Sequence, residues 1–261
     1  MYLLLIKRLQ SITNRVSSYV AIVGILILWQ FLSAMEIVPK FMLPSPLDVV
    51  KAFIFDFPLL MNHARTTLLE AFFGLAIGVS LGFMVAVIMD RFHFIYKAFY
   101  PILIITQTIP TVAIAPLLVL WLGYGMAPKI TLIVIVTFFP ITIGLLDGFK
   151  SADSDAIQLL KSMNASDRQI FKHIKLPSSI SHFFAGLRIS VSYSVVGAVI
   201  SEWLGGFNGL GVYMTRVKKS YSFAKMFAVI LLISIISLIL MEGVVFLQKI
   251  SMPWIKGENK L

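Results

Sequence analysis

No cysteine occurs anywhere in the chain, which excludes disulfides, thiolate metal sites and a cysteine nucleophile together. Charge is scarce as well. Asp, Glu, Lys and Arg make up 13% of the residues, about half the ~25% of an ordinary soluble domain. The four histidines (His63, His93, His173 and His182) are scattered, and neither His-Glu-x-x-His nor Gly-x-Ser-x-Gly occurs. Neither a zinc-peptidase nor a serine-hydrolase constellation is therefore on offer. No catalytic or metal-binding residue is expected.

The apolar share is correspondingly heavy, at 59% hydrophobic. Crossing a ~30 Å hydrocarbon core takes about 20 helical residues. Six runs approach or exceed that length: Ser18–Met35, Thr66–Met89, Phe94–Gly123, Ile130–Leu146, Phe183–Leu204 and Ala224–Leu247. They are continuously apolar and lack the two-residue alternation of lipid-facing strands, so helices rather than a barrel are implied. The expected fold class is all-α, a polytopic membrane protein with about six transmembrane helices, residues 1–261 forming a single transmembrane domain. In a chain this apolar, the net charge of +10 reflects topology rather than nucleic-acid binding. Placing the N-terminus inside puts Lys7, Arg8, Arg15, Arg91 and Lys97 in the cytoplasm, with Lys150, Lys161, Arg168, Lys172 and Lys175 of a polar segment and the C-terminal Lys249, Lys256 and Lys260. This is the larger share of the basic residues, so both termini and the polar segment are expected inside. The first run follows a basic start, as a signal peptide would. No small-x-small cleavage site follows it, and a retained helix is expected.

Several runs contain breakers. The third holds Pro101, Pro110 and Pro116, with Gln107 between Thr106 and Thr108. Proline removes a backbone hydrogen bond and kinks a helix, which suits either a packing kink or a discontinuous helix beside a solute path. Gly74, Gly78 and Gly82 make two overlapping Gly-x-x-x-Gly steps, a pattern for close helix packing. Between the first two runs, Pro44-Ser45-Pro46 supplies a turn, an N-cap serine and a proline at the first helical position. Leu47, Val50, Phe53 and Ile54 then recur at helical spacing, as in a short amphipathic helix on the outer membrane surface. Residues 205–223 carry four glycines and the basic Arg216, Lys218 and Lys219. They read as a solvated outer loop or as a contact face for an outer partner.

Between the fourth and fifth runs lies KSADSDAIQLLKSMNASDRQIFKHIKLPSSIS, residues 150–181. Ile157, Leu160 and Met163 share one helical face, and Asn164 stands where a left-handed cap would end the helix. Ser166 can N-cap a second helix, in which Ile170, Phe171 and Ile174 form an apolar edge. Leu176-Pro177 is expected to stop it. The product is a helix–turn–helix with an apolar ridge and basic flanks, suited to a groove on a soluble partner or to lipid headgroups.

This segment is similar to the cytoplasmic "EAA" loop of ABC-importer membrane subunits. That pattern is Glu-Ala-Ala, a Gly four residues after the second Ala, and Ile-x-Leu-Pro ten beyond the Gly. Here Ile174, Leu176 and Pro177 match, Asn164 takes the Gly position with Ala165 after it, and Gln158-Leu159-Leu160 stand where Glu-Ala-Ala would be. Asn keeps a left-handed turn accessible, whereas the missing Glu removes any contact that a carboxylate there would make. Other pieces extend the resemblance over most of the chain: Leu43-Pro44-Ser45-Pro46, Gln107-Thr-Ile-Pro110 with Pro116 and Trp121-Leu-Gly123-Tyr-Gly125, Phe138-Phe139-Pro140, Ala185-Gly186-Leu187-Arg188, and Glu202-Trp-Leu-Gly205 with Gly209-Leu-Gly211. Together they resemble the nitrate/sulfonate/taurine type of permease, which includes transporters of thiamine-pyrimidine precursors.

The resemblance implies a MetI-like ABC permease fold, usually paired with a second copy of itself. It implies import of a small polar or anionic solute across the cytoplasmic membrane, with cytoplasmic ABC ATPase subunits and an extracytoplasmic substrate-binding protein as partners. ATP and Mg would bind the ATPase, with no cofactor bound directly by this chain. Gln158, Leu160, Met163, Asn164, Ala165, Ile170, Phe171, Ile174, Leu176 and Pro177 would form the ATPase-coupling loop. Gly148-Phe149-Lys150-Ser151 lacks the Gly-Lys-Ser/Thr of a phosphate-binding loop, in keeping with hydrolysis on another subunit.

Charged residues inside apolar runs are costly and merit individual placement. Arg188, near the inner end of the fifth run, can snorkel, and Glu70, Glu202 and Glu242 are expected at interfaces. Gln107, Pro110, Ser190, Tyr193 and Ser194 are the candidates to line a translocation path. Two rival functions make different demands. A self-sufficient secondary transporter needs a midplane acid or an inverted repeat, and neither is visible. A metal-dependent lipid headgroup transferase needs Asp-Gly-x-x-Ala-Arg, of which Asp147-Gly148, with Asp153 and Asp155 nearby, supplies only the start.

Overall fold

The computed structural model describes residue 17 and residues 20–35, 38–39 and 41–253. Ser18 and the basic residues Lys7, Arg8, Arg15, Lys40, Lys256 and Lys260 lie outside the described residues. All regular structure among the described residues is helical. The first half comprises α1 (Val20–Ala34), α2 (Pro46–Phe55), α3 (Phe57–Arg91), α4 (His93–Thr106), α5 (Thr111–Leu122) and α6 (Met126–Lys150). The second half comprises α7 (Ser154–Ser162), α8 (Asp167–Ile170), a π-helical turn (Phe171–Lys175), α9 (Leu176–Glu202), α10 (Leu210–Lys219) and α11 (Phe223–Ser251).

Length and hydropathy make membrane crossings of α3, α6, the continuous helix Asp167–Glu202 and α11. The α4–α5 pair, bent by 101°, supplies a fifth or a re-entrant loop, and α1 is a shorter apolar helix. The third apolar run is therefore broken rather than continuous. Its ladder ends at Gln107, where the Thr106 and Thr108 hydroxyls donate to the carbonyls of Leu103 (2.7 Å) and Ile105 (2.8 Å). Pro110, which has no N–H to continue the ladder, becomes the N-cap of α5. Pro101 and Pro116 stay inside their helices.

The expected stop at Leu176-Pro177 is also corrected, because the helix runs on through the proline. In the π-helical turn the Leu176 N–H reaches back to the Phe171 carbonyl, and Pro177 enters in the first turn of α9. The wider turn makes room for a ring that would clash with a regular α ladder. The Ser178 hydroxyl donates to the Ile174 carbonyl at 2.8 Å. A third correction concerns residues 205–223, which are not simply a loop. They contain α10, whose Leu210, Val212, Tyr213 and Val217 are buried.

By packing, the described residues divide into two compact units, those up to residue 60 with 214–231 and 61–213 with those from 232 onward. In the first, Ser45 N-caps α2 and accepts from the Asp48 N–H at 3.2 Å, with Pro46 opening the helix. Trp29 Nε1 donates to the Pro44 carbonyl and Ser33 Oγ to the Leu43 carbonyl, both at 3.0 Å. Asp56 pairs with Lys225 at 2.8 Å.

The second unit is built around α6. A Cβ added to Gly74, Gly78 or Gly82 would fall 2.4, 2.1 or 2.9 Å from side-chain atoms of Ile133, Thr137 and Ile141, so α3 lies against α6 in parallel. On the other side, Gly148 abuts Ser179, Gly144 abuts the His182 carbonyl and Gly186 abuts the Pro140 carbonyl, so α9 runs antiparallel to α6. Small residues on both seams let the backbones approach, the main source of packing attraction where lipid supplies no hydrophobic drive.

Candidate functional site

Two clefts succeed one another along α6 and α9. The first, about 300 Å³, is bounded by Thr111, Val136, Val196, Gly197 and Ile200. The second, about 410 Å³, runs along Pro140, Gly144, Asp147, His182 and Gly186. Gln107 and Tyr193 line both. Gln107 is there because the α4 ladder ends at it, and Pro110 sets the next turn. Ser190 and Ser194 do not line either cleft. Both are buried, with hydroxyls donating at 2.8 Å to the carbonyls of Thr137 and Val191. Sequence reasoning weighed Asp147 only as the start of a headgroup-transferase motif and did not choose it or His182 for the path, because their place in the cleft depends on the packing of α6 against α9.

The polar segment has its own geometry. Asp153 caps α7, its Oδ1 accepting from the Asp155 N–H at 2.8 Å. Asn164 is left-handed, with φ of 61°. The Ala165 N–H donates to the Leu160 carbonyl and the Asn164 N–H to the Lys161 carbonyl, both at 2.9 Å, which is a Schellman closure of the helix. Ser166 then opens α8 with a reciprocal capping box to Gln169, a signal that Ser-x-x-Gln carried in the sequence. The two helices thus meet at a tight turn.

At that turn, Leu159 and Met163 are 62% and 70% exposed, and Gln158 and Asn164 are exposed too. Leu160, Met163, Asn164 and Ala165 line a small cleft of about 290 Å³ with Gln169 and His173. The second helix turns its apolar edge inward instead. Ile170 is buried, the Phe171 ring lies 5.3 Å from that of Phe149 on α6, and Ile174 and Leu176 are half-buried. The end of α3 holds this helix by charge. Lys175 Nζ lies 2.8 and 2.9 Å from the two Asp90 oxygens, and Arg91 pairs with Asp167. A cleft of about 710 Å³ separates these residues from Ile157 and Lys161 of α7.

A third cluster corrects the expectation that Glu70 and Glu202 sit at interfaces. Each is only 1% exposed. Glu70 Oε1 pairs with Lys129 Nζ at 2.6 Å. Glu202 accepts from the Thr67 hydroxyl at 2.7 Å and from the Gly211 N–H at 2.6 Å. The Leu210 N–H donates to Thr67 Oγ1 at 2.9 Å, and the Gly209 N–H to His63 Nδ1 at 3.0 Å. Three consecutive amides at the start of α10, donors that a helix end leaves orphaned, are therefore satisfied from α3 and α9. Gly209 has φ of 129°, and a Cβ there would fall 2.1 Å from the Glu202 carboxyl, so glycine is required. Glu242, by contrast, is exposed. Among the described residues, no group of three or more His, Cys, Asp or Glu is disposed to hold a metal.

Residues 78–257 match the family described as "Binding-protein-dependent transport system inner membrane component". A formylaminopyrimidine transport permease from Halalkalibacterium halodurans is 35% identical over 235 residues, covering 90% of this chain and 94% of its own. A probable ABC transporter permease from Haemophilus influenzae is 38% identical over 84% of this chain and 90% of its own. Among solved structures, a chain of the inward-facing MetNI methionine ABC transporter matches with a TM-score of 0.59. It is 18% identical and covers 73% of this chain and 93% of that one. That likeness bears on the fold.

Proposed function

The chain belongs to the family of binding-protein-dependent transport system inner membrane components, and from that premise we propose how its parts share the work of an ABC importer. It is a membrane permease with a MetI-like fold. In our reading, residues 150–181 face the cytoplasm and dock on a separate ATPase subunit that binds ATP and Mg. An outer binding protein delivers the solute, and a second copy of the chain completes the path.

The observation that carries the docking assignment is the capped turn after α7, which holds Leu159 and Met163 out in solvent beside Asn164. Two large apolar side chains on a rigid, polar element suit a groove on a partner. Ile170, Phe171, Ile174 and Leu176 take the complementary part. They fix the loop to the body of the permease, so that a pull on the turn reaches α3 through Asp90–Lys175 and α6 through Phe149. Docking alone shifts nothing. The ATPase drives a change only by binding one permease state more tightly than the other.

For the solute, we favour a formylaminopyrimidine-like molecule. This rests on the 35% identity to the formylaminopyrimidine permease along nearly the full length of both chains.

The test is to make Met163→Glu and Asn164→Arg in the assembled importer and purify it by a tag on this chain. Membrane insertion is expected to be unchanged, because both side chains are exposed, while recovery of the ATPase falls at least about tenfold, the loss of a contact worth ~1.4 kcal/mol. Normal recovery of the ATPase with normal uptake in both variants would sink the docking assignment.

A further inference from the structure

The two clefts meet at Gln107 and Tyr193. On α9 the second cleft takes His182 to Tyr193 and the first takes Tyr193 to Ile200. On α6 the first takes Val136, whereas the second runs from Phe139 to Asp147. The clefts are thus successive stretches of one furrow, with Tyr193 and Gln107 at the joint. Tyr193 is 47% exposed, and the Gln107 side chain is exposed beside it. Convergent polar groups on an otherwise apolar wall fix the orientation of a small ligand.

The charge in the furrow has one sign. Asp147 is exposed in the second cleft, and the described linings hold His182 but no lysine or arginine. Lys150, three residues beyond Asp147, is turned onto the Tyr96 and Tyr100 rings, 4.5 and 5.2 Å from their centroids, and its Nζ contacts the Tyr96 hydroxyl at 2.5 Å. Pores that pass anions place Arg or Lys along the wall, and those that pass cations place Asp or Glu there. Asp147 also interacts electrostatically with Lys150, whose Nζ is held by the Tyr96 hydroxyl outside the linings, and a carboxylate beside low-dielectric walls raises the local concentration of cations and lowers that of anions. A sulfonate or nitrate entering this furrow would meet Asp147, with no lysine or arginine in the lining to pair with it.

We infer that Gln107 and Tyr193 form the selective constriction of the path, and that with Asp147 they admit neutral or cationic planar nitrogen heterocycles and disfavour oxyanions. This inference rests on the permease reading above. The phenol ring offers a flat apolar face with a polar tip. The amide offers two donors and an acceptor, which match the amino and ring-nitrogen groups of an aminopyrimidine.

The absence of cysteine makes the test direct, since Gln107→Cys or Tyr193→Cys is the sole thiol of this chain. Each variant is assembled with its ATPase, and ATP hydrolysis is measured first. A failure of the permease reading shows at that stage, before any labelling, and so is distinguishable from a failure of the selectivity inference. The complexes are then treated with a trimethylammonium-bearing or a sulfonate-bearing methanethiosulfonate of similar size. Labelling of this chain is read by mass, and each rate is divided by the reagent's rate with a free small thiol.

The expected result is a cation-over-anion preference of about fivefold or more at both positions, reduced towards one by Asp147→Asn. Saturating formylaminopyrimidine with its binding protein should slow labelling of Gln107→Cys, and taurine with a taurine-binding protein should not. Thiols that react with neither reagent, or equal normalised rates, overturn the inference. A preference indifferent to Asp147→Asn, or protection by taurine as good as by the pyrimidine, does the same. If one cysteine variant fails to assemble, the other carries the same reading.

Discussion

Lys129 pairs with the buried Glu70 at 2.6 Å, while a second buried carboxylate, Glu202, is held by a hydroxyl and a backbone amide. Desolvating such groups costs several kcal/mol each, and removing one partner of a buried pair costs ~3–5 kcal/mol because the other charge is left uncompensated. Lys129→Met should therefore be the most damaging change in the cluster. Adding Glu70→Gln to it removes the stranded charge, so the double variant should recover part of the loss. Thermal denaturation of the purified chain in detergent measures both. A double variant less stable than Lys129→Met would show that Glu70 is stabilised by something other than this lysine. The cluster has a positioning role in the fold, since His63, Thr67 and Glu202 together anchor the first turn of α10 through the amides of Gly209, Leu210 and Gly211.

Helices α3, α6 and α9 carry the next scale, and the register of α3 on α6 ties it to the first. Glu70 pairs with Lys129 at a separation of 59 residues, and the same offset continues at Gly74–Ile133, Gly78–Thr137 and Gly82–Ile141. One parallel seam thus begins with an ion pair and continues with glycines. On the α6–α9 seam, a Cβ at Gly186 would lie 2.4 Å from the Pro140 carbonyl, a backbone atom that cannot swing aside. Gly186→Ala should cost ~1–3 kcal/mol or more through overpacking. Gly243→Ala on α11, where nothing lies within 4 Å, should be neutral or gain up to ~1 kcal/mol from helix propensity. Equal melting temperatures for the two variants would refute the seam. Legibility in the sequence obeys a rule at this scale. Gly-x-x-x-Gly, the Asn164 cap and the Ser45 cap were readable because each depends on residues a few positions apart. The passage of the helix through Pro177 was not, since the π-helical turn that admits it has no fixed sequence sign. Prolines marked the third run as broken or kinked, but the 101° bend depends on how α4 and α5 pack. The roles of Lys129, Thr67 and His63 were hidden for the same reason, as their partners lie 59 to 146 residues away.

For the molecule as a whole the remaining issue is where the energy for transport enters. A carrier driven by an ion gradient needs a carboxylate that binds and releases its ion during the cycle. Glu70 and Glu202 are poorly placed for that. Lys129 neutralises Glu70, and the Thr67 hydroxyl and Gly211 amide engage both oxygens of Glu202. Cycling the Glu202 charge would break the seat of α10 each time, and cycling that of Glu70 would strand Lys129. Asp147 is the carboxylate that opens on the furrow, where we assign it to selecting the solute. In our proposal the polar segment serves the opposite arrangement, an exposed turn braced to α3 and α6 that takes up a partner's movement. The importer reconstituted in vesicles should therefore accumulate solute when ATP is supplied to the ATPase face with no ion gradient present. A protonophore should leave that rate within about twofold, well inside the tenfold change that ~1.4 kcal/mol of coupling would produce, and omission of ATP should abolish accumulation. Uptake that persists without ATP and collapses with the protonophore would transfer the energy source to the gradient, and Asp147→Asn would then identify the coupling carboxylate.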